Sequence, residues 1–429
     1  MTDAADAQAF ARPVADPVDE QAGRQSPESV FGHLPAYAGD PILSLNEDFQ
    51  RDRRPDKVNL SIGIYFDDAG RIPVLASVQQ AERQMLEAAR PKPYLPIEGD
   101  AAMRAAVQDL LFGADHEAIT SGRIATLQTV GSSGGLRVGA DFLHQWLPGS
   151  GVWISSPTWD NHRAMFEGAG LKVQTYPYHD PATGGLAFDE MLDALRTLPA
   201  RSIVLVHACC HNPTGIDLTA EQWRALIPVL KERELLPYLD LAYQGYGDGI
   251  DADAFAVREL ANAGMRFFVA NSFSKSMSLY GERAGALSVV CGSAEEAARV
   301  LGQLKSTVRR NYSSPAIHAA GIVSRVLTDP ALRQSWQADV AAMRDRIVSM
   351  RHRLHDLLKQ QLPGHDFGYF LSQRGMFSYT GLSPAQADLL RTEHGVYVLR
   401  SGRMCVAGLN SGNVERTALA MAAVLNAAG

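Results

Sequence analysis

A lysine and an arginine follow one short apolar run at a spacing that suits chemistry on an aldehyde cofactor. Residues 267–270 are all apolar, Lys275 lies five residues beyond them, and Arg283 lies eight residues further on. A lysine at the carboxyl end of a strand, in a crevice that excludes water, has a lowered pKa and can act as a nucleophilic amine. Such an amine can form a Schiff base with pyridoxal phosphate (PLP), whose phosphate has nearby candidate ligands in Ser272, Ser274 and Arg283. For this run taken alone, a solvated lysine after a strand is the simpler interpretation.

Two other predicted strand ends carry polar residues that would suit the same cofactor. Asn212 lies in the stretch 207–215 after an apolar run, where a structural turn is an equally good interpretation because a proline follows Asn212. Asp240 ends a third run, and Tyr243 follows three residues later. A carboxylate there can hold a pyridine nitrogen protonated, and the tyrosine can reach the ring hydroxyl. Asp240 could equally be the N-cap of a helix.

A fourth strand end has the sequence Gly131-Ser132-Ser133-Gly134, placed between a predicted strand and a predicted helix. Backbone N–H groups and hydroxyls at the N-terminus of a helix form a natural phosphate site. The motif is weak by itself, and it lacks the Gly-Lys-Ser/Thr sequence of a P-loop.

The elements that must hold these residues alternate between strand and helix over about residues 76–300. The apolar run 202–207 is typical of a strand covered on both faces. The order predicts an α/β fold with a mainly parallel sheet covered by helices on both faces, which binds ligands outside the carboxyl ends of its strands. The predicted strands are 124–129, 152–155, 202–207, 235–240, 267–272 and 285–290. The predicted helices are 78–90 capped by Ser77, 134–147, 161–169, and 220–234 with a capping box of Thr219 and Gln222.

The pattern changes after residue 330 and indicates a smaller α+β unit. A long helix is predicted over 330–361, followed by short strands near 366–381 and 395–408 and a helix over 412–427. Residues 57–75 cannot be placed from their pattern.

Composition and charge favour an ordinary globular protein with small-molecule partners. The chain has 429 residues, 46% of them hydrophobic, and a net charge of −7, which argues against binding to nucleic acid or to a membrane surface. Residues 1–30 hold six acidic and two basic residues, so the rest of the chain is close to neutral. No run is long and apolar enough to span a membrane, and the first residues lack the pattern of a signal peptide. We therefore expect a cytoplasmic protein.

The four cysteines do not indicate a disulfide framework or a metal site. Cys209 and Cys210 are adjacent, and Cys291 and Cys405 are far from them and from each other. No pair has the Cys-x-x-Cys spacing of a zinc ribbon, so we expect buried free thiols and no metal.

The four strand ends, in the order phosphate turn, Asn, Asp/Tyr, Lys/Arg, together resemble the class I, fold-type I PLP-dependent aminotransferases. Within them the chain looks most like the bacterial aromatic-amino-acid (tyrosine) aminotransferases of the aspartate aminotransferase group. The resemblance runs from about Tyr37 to the C-terminus, and its most specific stretches are 209–215, 272–283, 309–315 and 401–408. It implies a homodimer with active sites shared across the interface.

The resemblance implies a role for each matching residue around the cofactor. Lys275 would be the Schiff-base lysine and the base that moves the proton, and Asp240, backed by His162, would pair with the pyridine nitrogen. The other implied cofactor ligands are Trp159 on the ring, Asn212 and Tyr243 at its phenolic oxygen, and Ser132, Ser133, Ser272, Ser274, Arg283 and a neighbouring subunit's Tyr94 at the phosphate.

For the substrate, the resemblance implies that Arg403 binds the α-carboxylate near Gly63. Arg309 would reach across the dimer to bind the distal carboxylate of a dicarboxylic substrate, which implies glutamate and 2-oxoglutarate as one substrate pair. Phe66 stands where dicarboxylate-preferring relatives commonly have a lysine, and an apolar lining favours burial of Phe or Tyr. The remaining residues implied in this pocket are Asn212, Trp159, Ser314 and Phe377, and Ile64, Ile72, Pro93 and Ser133 also agree with the aromatic-preferring branch.

The expected function is thus a ping-pong transaminase acting on aromatic L-amino acids (Tyr, Phe) and 2-oxoglutarate, with some activity on aspartate. An aspartate aminotransferase with minor aromatic activity is the alternative. A PLP-binding transcriptional regulator would need a helix-turn-helix domain, for which residues 1–28 are too short, polar and acidic, and a pseudoenzyme is disfavoured because no matched position is missing. Arg400, three residues before Arg403, departs from the family pattern and is expected to be a surface group. The expected organisation is a disordered tail over 1–28, a small domain formed by 29–72 and 343–429, and a large PLP-binding domain over 73–342.

Overall fold

The computed structural model describes residues 30–37 and 39–427. The chain divides into a short unit that ends at Pro41 and a main unit that begins at Ile42. The described part of the short unit begins with a turn over residues 30–33. The predicted tail 1–28 lies outside the described residues.

A seven-stranded sheet forms the centre of the main unit. Its strands lie in the spatial order β2-β10-β9-β8-β7-β3-β4. Of these seven strands, only β10 runs in the direction opposite to the others. The prediction of a mainly parallel sheet is therefore confirmed. The strands are β2 Ile124–Val130, β3 Val152–Ser156, β4 Val173–Pro177, β7 Ile203–His207, β8 Leu236–Leu241, β9 Phe267–Ser272 and β10 Ala284–Val290.

The sheet is covered on both faces, because successive side chains of its strands enter two separate cores. On β7, Val204 and Val206 belong to one core, and Ile203 and Leu205 belong to the other. This alternation explains why residues 203–206 are continuously apolar rather than alternately polar.

Helices surround the sheet on both sides, and one of them approaches it closely. Helix α5 follows β2 directly, and a Cβ atom at Gly139 would lie 2.1 Å from the Tyr238 hydroxyl on β8. Glycine is thus required where this helix crosses the sheet. The helices in chain order are α1 Pro41–Arg51, α2 Ala76–Glu87, α3 Ala101–Phe112, α4 Glu117–Thr120, α5 Gly131–Trp146, α6 Asp160–Gly168, α7 Phe188–Thr197, α8 Ala220–Glu232, α9 Phe255–Asn262, α10 Ala294–Asn311, α11 Ile317–Thr328, α12 Pro330–Gln361, α13 Tyr369–Ser372, α14 Pro384–His394 and α15 Val414–Asn426.

Three small sheets complete the fold. Strand β1 (Val58–Asn59) pairs in parallel with β12 (Val396–Tyr397), and β11 (Phe377–Tyr379) pairs antiparallel with β13 (Arg403–Cys405). The third sheet pairs β5 (His179–Asp180) with β6 (Gly185–Leu186). Strands β11, β12 and β13 confirm the short strands predicted near 366–381 and 395–408, and β1 lies in the segment 57–75 that could not be placed. The domain boundaries at 72 and 342 stay a prediction; α12 runs through residue 342 without a break.

Two predicted helix starts are wrong. Ser77 is not a cap, because α2 begins at Ala76 after the extended Leu75, and the Ser77 side chain is buried inside the first turn. Helix α5 begins at Gly131 rather than Gly134, so the Gly-Ser-Ser-Gly motif is the first turn of the helix and not a loop before it. The capping box of Thr219 and Gln222 is confirmed at the start of α8.

No helix within residues 30–37 and 39–427 combines the length and the apolar character needed to cross a membrane.

Candidate active site

The predicted polar residues meet at one edge of the sheet because neighbouring parallel strands end there together. His207, the last residue of β7, lies opposite Asp240 near the end of β8, and Asp240 lies opposite Ala270 on β9. This is the edge at which a doubly covered parallel sheet binds ligands.

Asp240 is buried, and a histidine holds one of its two oxygens. His162 Nε2 donates to Asp240 Oδ2 at 3.1 Å, and His162 Nδ1 lies 2.8 Å from the Thr158 hydroxyl. Burial opposes ionisation of the carboxyl, but the hydrogen bond from His162 keeps the pKa of Asp240 below its usual range. Within the described chain Asp240 Oδ1 has no hydrogen-bond partner. A buried carboxylate oxygen without a hydrogen-bond partner suits the protonated ring nitrogen of PLP, so the residues of the site fit this cofactor.

Lys275 lies beyond the end of β9, with its amine 5.0 Å from the centre of the Tyr243 ring. Burial, opposed by the nearby charge of Asp240 and assisted by those of Arg283 and Arg403, lowers the pKa of Lys275 to about 8. A substantial fraction of the amine is therefore neutral near pH 8, as a nucleophile requires.

Two aromatic side chains that the sequence did not indicate fix the backbone of the lysine. The Tyr246 hydroxyl donates to the Lys275 carbonyl at 3.1 Å, and the Trp336 indole N–H donates to the Ser276 carbonyl at 2.7 Å. Both side chains are almost fully buried, so the lysine extends from a rigid turn.

The candidate phosphate site lies at the N-terminus of α5. Gly131 has φ of +66°, and a Cβ atom there would lie 2.7 Å from Arg283 Nη2. Arg283 Nη1 donates to Ser274 Oγ at 3.1 Å, and the Ser274 amide donates to Ser272 Oγ at 3.1 Å. Ser132 is buried in the first turn of α5. The hydroxyls, the guanidinium and the helix N-terminus thus form a cradle whose charge suits a phosphate.

The candidate carboxylate site is built around Arg403 on β13. Arg403 is buried; its Nη2 donates to the Ser61 carbonyl at 2.6 Å and its Nη1 to Asn212 Oδ1 at 3.3 Å. The guanidinium lies 4.4 Å from the centre of the Phe377 ring. A Cβ atom at Gly63 would lie 2.9 Å from that ring, so glycine is needed there.

The lysine and aspartate that would hold the cofactor lie next to the carboxylate site of Arg403. The Phe377 ring packs edge to face on Tyr243 at a centroid distance of 5.7 Å, and Tyr243 lies beneath the Lys275 amine. The Trp159 ring lies 5.3 Å from the His162 ring, beside the Asp240 carboxylate. A cofactor bound to Asp240 and Lys275 would therefore have the guanidinium of Arg403 nearby.

Several other predicted site residues do not contact Asp240, Lys275 or Arg403 on the single chain. Tyr94 is 96% exposed, and Arg309 is exposed and donates to the Ser313 hydroxyl. Ser314 follows on the same segment and is half-buried. Phe66 is half-buried, and its amide donates to the Ala407 carbonyl at 3.2 Å, just beyond β13. Arg400 is mostly exposed and pairs with Asp388 at 3.2 Å, as a surface group would.

The loop that carries Asn212 depends on a half-buried aspartate that the sequence did not indicate. Asp217 accepts hydrogen bonds from the amides of Cys210 and His211 at 2.7 and 2.8 Å, and Cys210 has φ of +52°. Burial raises the pKa of Asp217 to about 6. The turn residues at 212–215 predict this loop from the sequence. The hydrogen bonds from the loop amides to Asp217 are known only from the folded structure.

All four cysteines are free and buried, as expected. Cys209 and Cys210 lie close to Asp253, and His162 and His207 lie close to Asp240, each group at a spacing that a metal could bridge. Both ring nitrogens of His162 already have hydrogen-bond partners, and burial together with the neighbouring thiol raises the pKa of Cys209. Neither group therefore presents a ready set of ligands.

Comparison with known proteins identifies the family. Residues 55–420 match the family described as aminotransferase class I and II. The chain is 58% identical over 399 residues to the aromatic-amino-acid aminotransferase of Escherichia coli (strain K12), which covers 92% of this chain and 100% of that protein. It is 50% identical over 397 residues to the aspartate aminotransferase of Pseudomonas aeruginosa, with 92% and 100% coverage.

A solved structure supports the same assignment. The crystal structure of the aromatic-amino-acid aminotransferase from Burkholderia pseudomallei, covalently bound to pyridoxal phosphate, matches with a TM-score of 0.91 and 51% identity, and it covers 92% of this chain and 100% of that chain. Because the family match spans most of the sequence and the relatives align over their full length, the chain belongs to the class I and II aminotransferases and has the fold-type I architecture that its motifs implied.

Proposed function

We propose that the chain is a PLP-dependent transaminase that exchanges the amino group between aromatic L-amino acids, chiefly tyrosine and phenylalanine, and 2-oxoglutarate, with some activity on aspartate. The observation that carries the proposal is that three groups lie near the packed rings of Tyr243 and Phe377. They are a lysine amine of lowered pKa, a buried carboxylate with one oxygen unpartnered within the described chain, and a buried arginine. The names of the aligned relatives support the choice of aromatic substrates.

Asp240 Oδ1 would accept a hydrogen bond from the protonated ring nitrogen of the cofactor, and the cradle at the start of α5 would bind its phosphate. Trp159 would stack on the ring, and Asn212 and Tyr243 would bond its phenolic oxygen. When bound, PLP supplies an aldehyde that takes up the amino group and a ring that withdraws electrons from the substrate's α-carbon. Ser133 would join Ser132 at the phosphate.

Lys275 Nζ would move the proton at the substrate's α-carbon. Its lowered pKa allows the amine to be neutral when it takes the proton and charged when it returns it, at a pH close to neutrality. The buried turn held by Tyr246 and Trp336 keeps the amine in one position between those two steps.

Arg403 would bind the substrate α-carboxylate through a bidentate pair, close to the backbone at Gly63. Replacing Arg403 with alanine should lower kcat/KM for every amino acid by about 10²-fold to 10⁴-fold, since two charge-assisted hydrogen bonds are lost.

Replacing Arg309 with alanine should instead lower kcat/KM for aspartate and glutamate and leave kcat/KM for tyrosine nearly unchanged. Steady-state kinetics on tyrosine and glutamate measure both effects, and equal losses for both substrates in both variants would refute this division of roles.

The half-buried Phe66 would line the pocket for the substrate side chain. We expect wild-type kcat/KM to be higher for tyrosine and phenylalanine than for aspartate, with 2-oxoglutarate as acceptor. Changing Phe66 to lysine should lower the ratio of kcat/KM for tyrosine to kcat/KM for aspartate by about tenfold or more. The reason is that a buried ammonium group beneath the phenyl ring of a bound substrate has no partner. Phe66→Leu, which keeps the pocket apolar, is the control. A wild-type preference for aspartate would establish the alternative, an aspartate aminotransferase with minor aromatic activity.

The proposed enzyme is a cytoplasmic homodimer whose active sites include residues from both subunits. Tyr94 and Arg309, which the family motifs assign to a cofactor and a substrate, are exposed on the single chain. Two apolar side chains that precede Tyr94 in the chain are also exposed, Val74 by 65% and Leu86 by 81%. A second copy that covers these residues would account for both observations. The small domain of 29–72 and 343–429 and the large domain of 73–342 belong to the same proposal.

A further inference from the structure

One buried arginine on α12 has no role in the chemistry above. Arg351 is 2% exposed, and all of its hydrogen bonds reach one short segment of the chain. Its guanidinium donates to the carbonyls of Phe370, Gly375 and Phe377 at 3.3, 2.9 and 2.5 Å, and to the Ser378 hydroxyl at 2.6 Å.

These four acceptors are neutral oxygen atoms, which makes Arg351 a costly residue for stability alone. Burial lowers the pKa of Arg351 to about 10, so it keeps its charge at neutral pH. An apolar side chain of similar size in a buried position generally stabilises a fold as well as a buried charge does. What only a guanidinium provides is a rigid fork that fixes several carbonyl groups at once.

The segment that Arg351 fixes also forms one wall of the carboxylate site. It carries β11, whose Phe377 ring lies beneath the Arg403 guanidinium and against Tyr243. Tyr379 on the same strand pairs with Arg403 on β13. Thus the carbonyl that Arg351 holds and the ring that Arg403 contacts belong to one residue, Phe377.

The same segment also touches the loop that holds Asn212. The Arg374 amide donates to the Gly215 carbonyl at 2.6 Å, and a Cβ atom at Gly215 would lie 2.6 Å from the Phe377 carbonyl. Asn212 is itself the acceptor of Arg403 Nη1. A shift of the segment would therefore displace the packing partner of Arg403 and one of its hydrogen-bond partners together.

We propose that Arg351 is a positioning residue for the α-carboxylate site. By holding the backbone of the segment 370–378 through its hydrogen bonds, it orients the Arg403 guanidinium toward the substrate. Arg351 does not contact the substrate or the cofactor. The inference rests on the proposed role of Arg403, and it adds a residue that acts through Arg403.

The test compares Arg351→Lys and Arg351→Met with Arg353→Lys, which changes an exposed arginine on the same helix. In the PLP-loaded enzyme we expect Arg351→Met to raise KM about tenfold for both tyrosine and glutamate, and to weaken binding of 3-phenylpropionate, an unreactive monocarboxylate, to the same extent. Arg351→Lys should show a smaller rise, and Arg353→Lys none. The cofactor absorbance and kcat should stay within about threefold of wild type, which a general loss of structure would not allow.

A double-mutant cycle with Arg403→Lys completes the test. If Arg351 acts through Arg403, its effect on KM should largely disappear in the Arg403→Lys background. A folded, PLP-loaded Arg351→Met enzyme with wild-type KM would overturn the inference, as would an effect on KM that persists unchanged without Arg403. If Arg351→Met does not fold, the same criteria apply to Arg351→Lys. Failure of the proposed function would look different, because Arg403→Ala itself would then leave KM unaltered.

Discussion

Replacing Lys275 with alanine should abolish transamination of every amino acid, with a loss of more than about 10⁴-fold in kcat. In the proposed function two steps depend on its amine, attachment of the cofactor and proton movement at the α-carbon, and general-base catalysis alone contributes up to about 10⁴-fold. The absorbance of the PLP-loaded protein should change at the same time, because the cofactor loses its bond to the chain. Spectra and single-turnover measurements with tyrosine detect both effects.

Lys275→Arg separates the charge of this side chain from its chemistry. A guanidinium keeps the positive charge near Asp240 but does not deprotonate near neutral pH, so this variant should be as inactive as Lys275→Ala. Lys172→Ala removes an exposed lysine and should leave activity unchanged. Turnover within tenfold of wild type in either Lys275 variant would exclude Lys275 as the catalytic amine.

Replacing Asp240 with alanine should lower kcat by about 10²-fold to 10⁴-fold, which corresponds to the loss of one partner of a buried charged pair. Two groups lose their acceptor: His162 Nε2, now bonded at 3.1 Å, and the ring nitrogen of the cofactor. Without the carboxylate the pKa of that ring nitrogen falls, and the ring withdraws electrons less well. Single-turnover rates for tyrosine at fixed pH give the size of the loss.

The loss should also depend on pH, in a direction that follows from the same argument. The carboxylate of Asp240 is ionised across the working range, because its pKa lies below the usual value. It therefore keeps the ring nitrogen protonated to high pH in the wild type. In Asp240→Ala the nitrogen deprotonates earlier, so the deficit should be larger at pH 8.5 than at pH 6. Asp251→Asn, which changes an exposed carboxylate, is the control, and a deficit that does not vary with pH would contradict the assigned pairing.

The parts of the fold that could be predicted from sequence are those with local signals. The capping box at Thr219 lies within four residues of its partner, and β7 is marked by a continuous apolar run because its side chains enter both cores. Asp240 and Lys275 could be found for a related reason. Asp240 lies near the end of β8 and Lys275 lies three residues beyond the end of β9, and the ends of parallel strands meet at one edge of the sheet.

What could not be predicted depends on contacts between distant residues. Val58 pairs with Val396, so residues 57–75 carry no local period that reveals their strand. Arg351 and Asp217 look like surface residues in the sequence, because a single charge in a helix or loop normally faces water. Only the folded chain shows that Arg351 is buried and Asp217 half-buried, each against backbone groups of the site.

The hydrogen bond from Arg403 to the Ser61 carbonyl spans 342 residues, whereas the residues assigned to the cofactor on this chain lie between 131 and 283, apart from Tyr94. A ribosome adds about 5–20 residues per second, so the cofactor region leaves it roughly ten seconds before Arg403 does. During that interval the nascent chain already carries the lysine, the aspartate and the residues of the phosphate cradle, but not Arg403, the group proposed to bind an amino acid. The order of synthesis thus places the residues proposed for the cofactor ahead of the residue proposed for the substrate carboxylate.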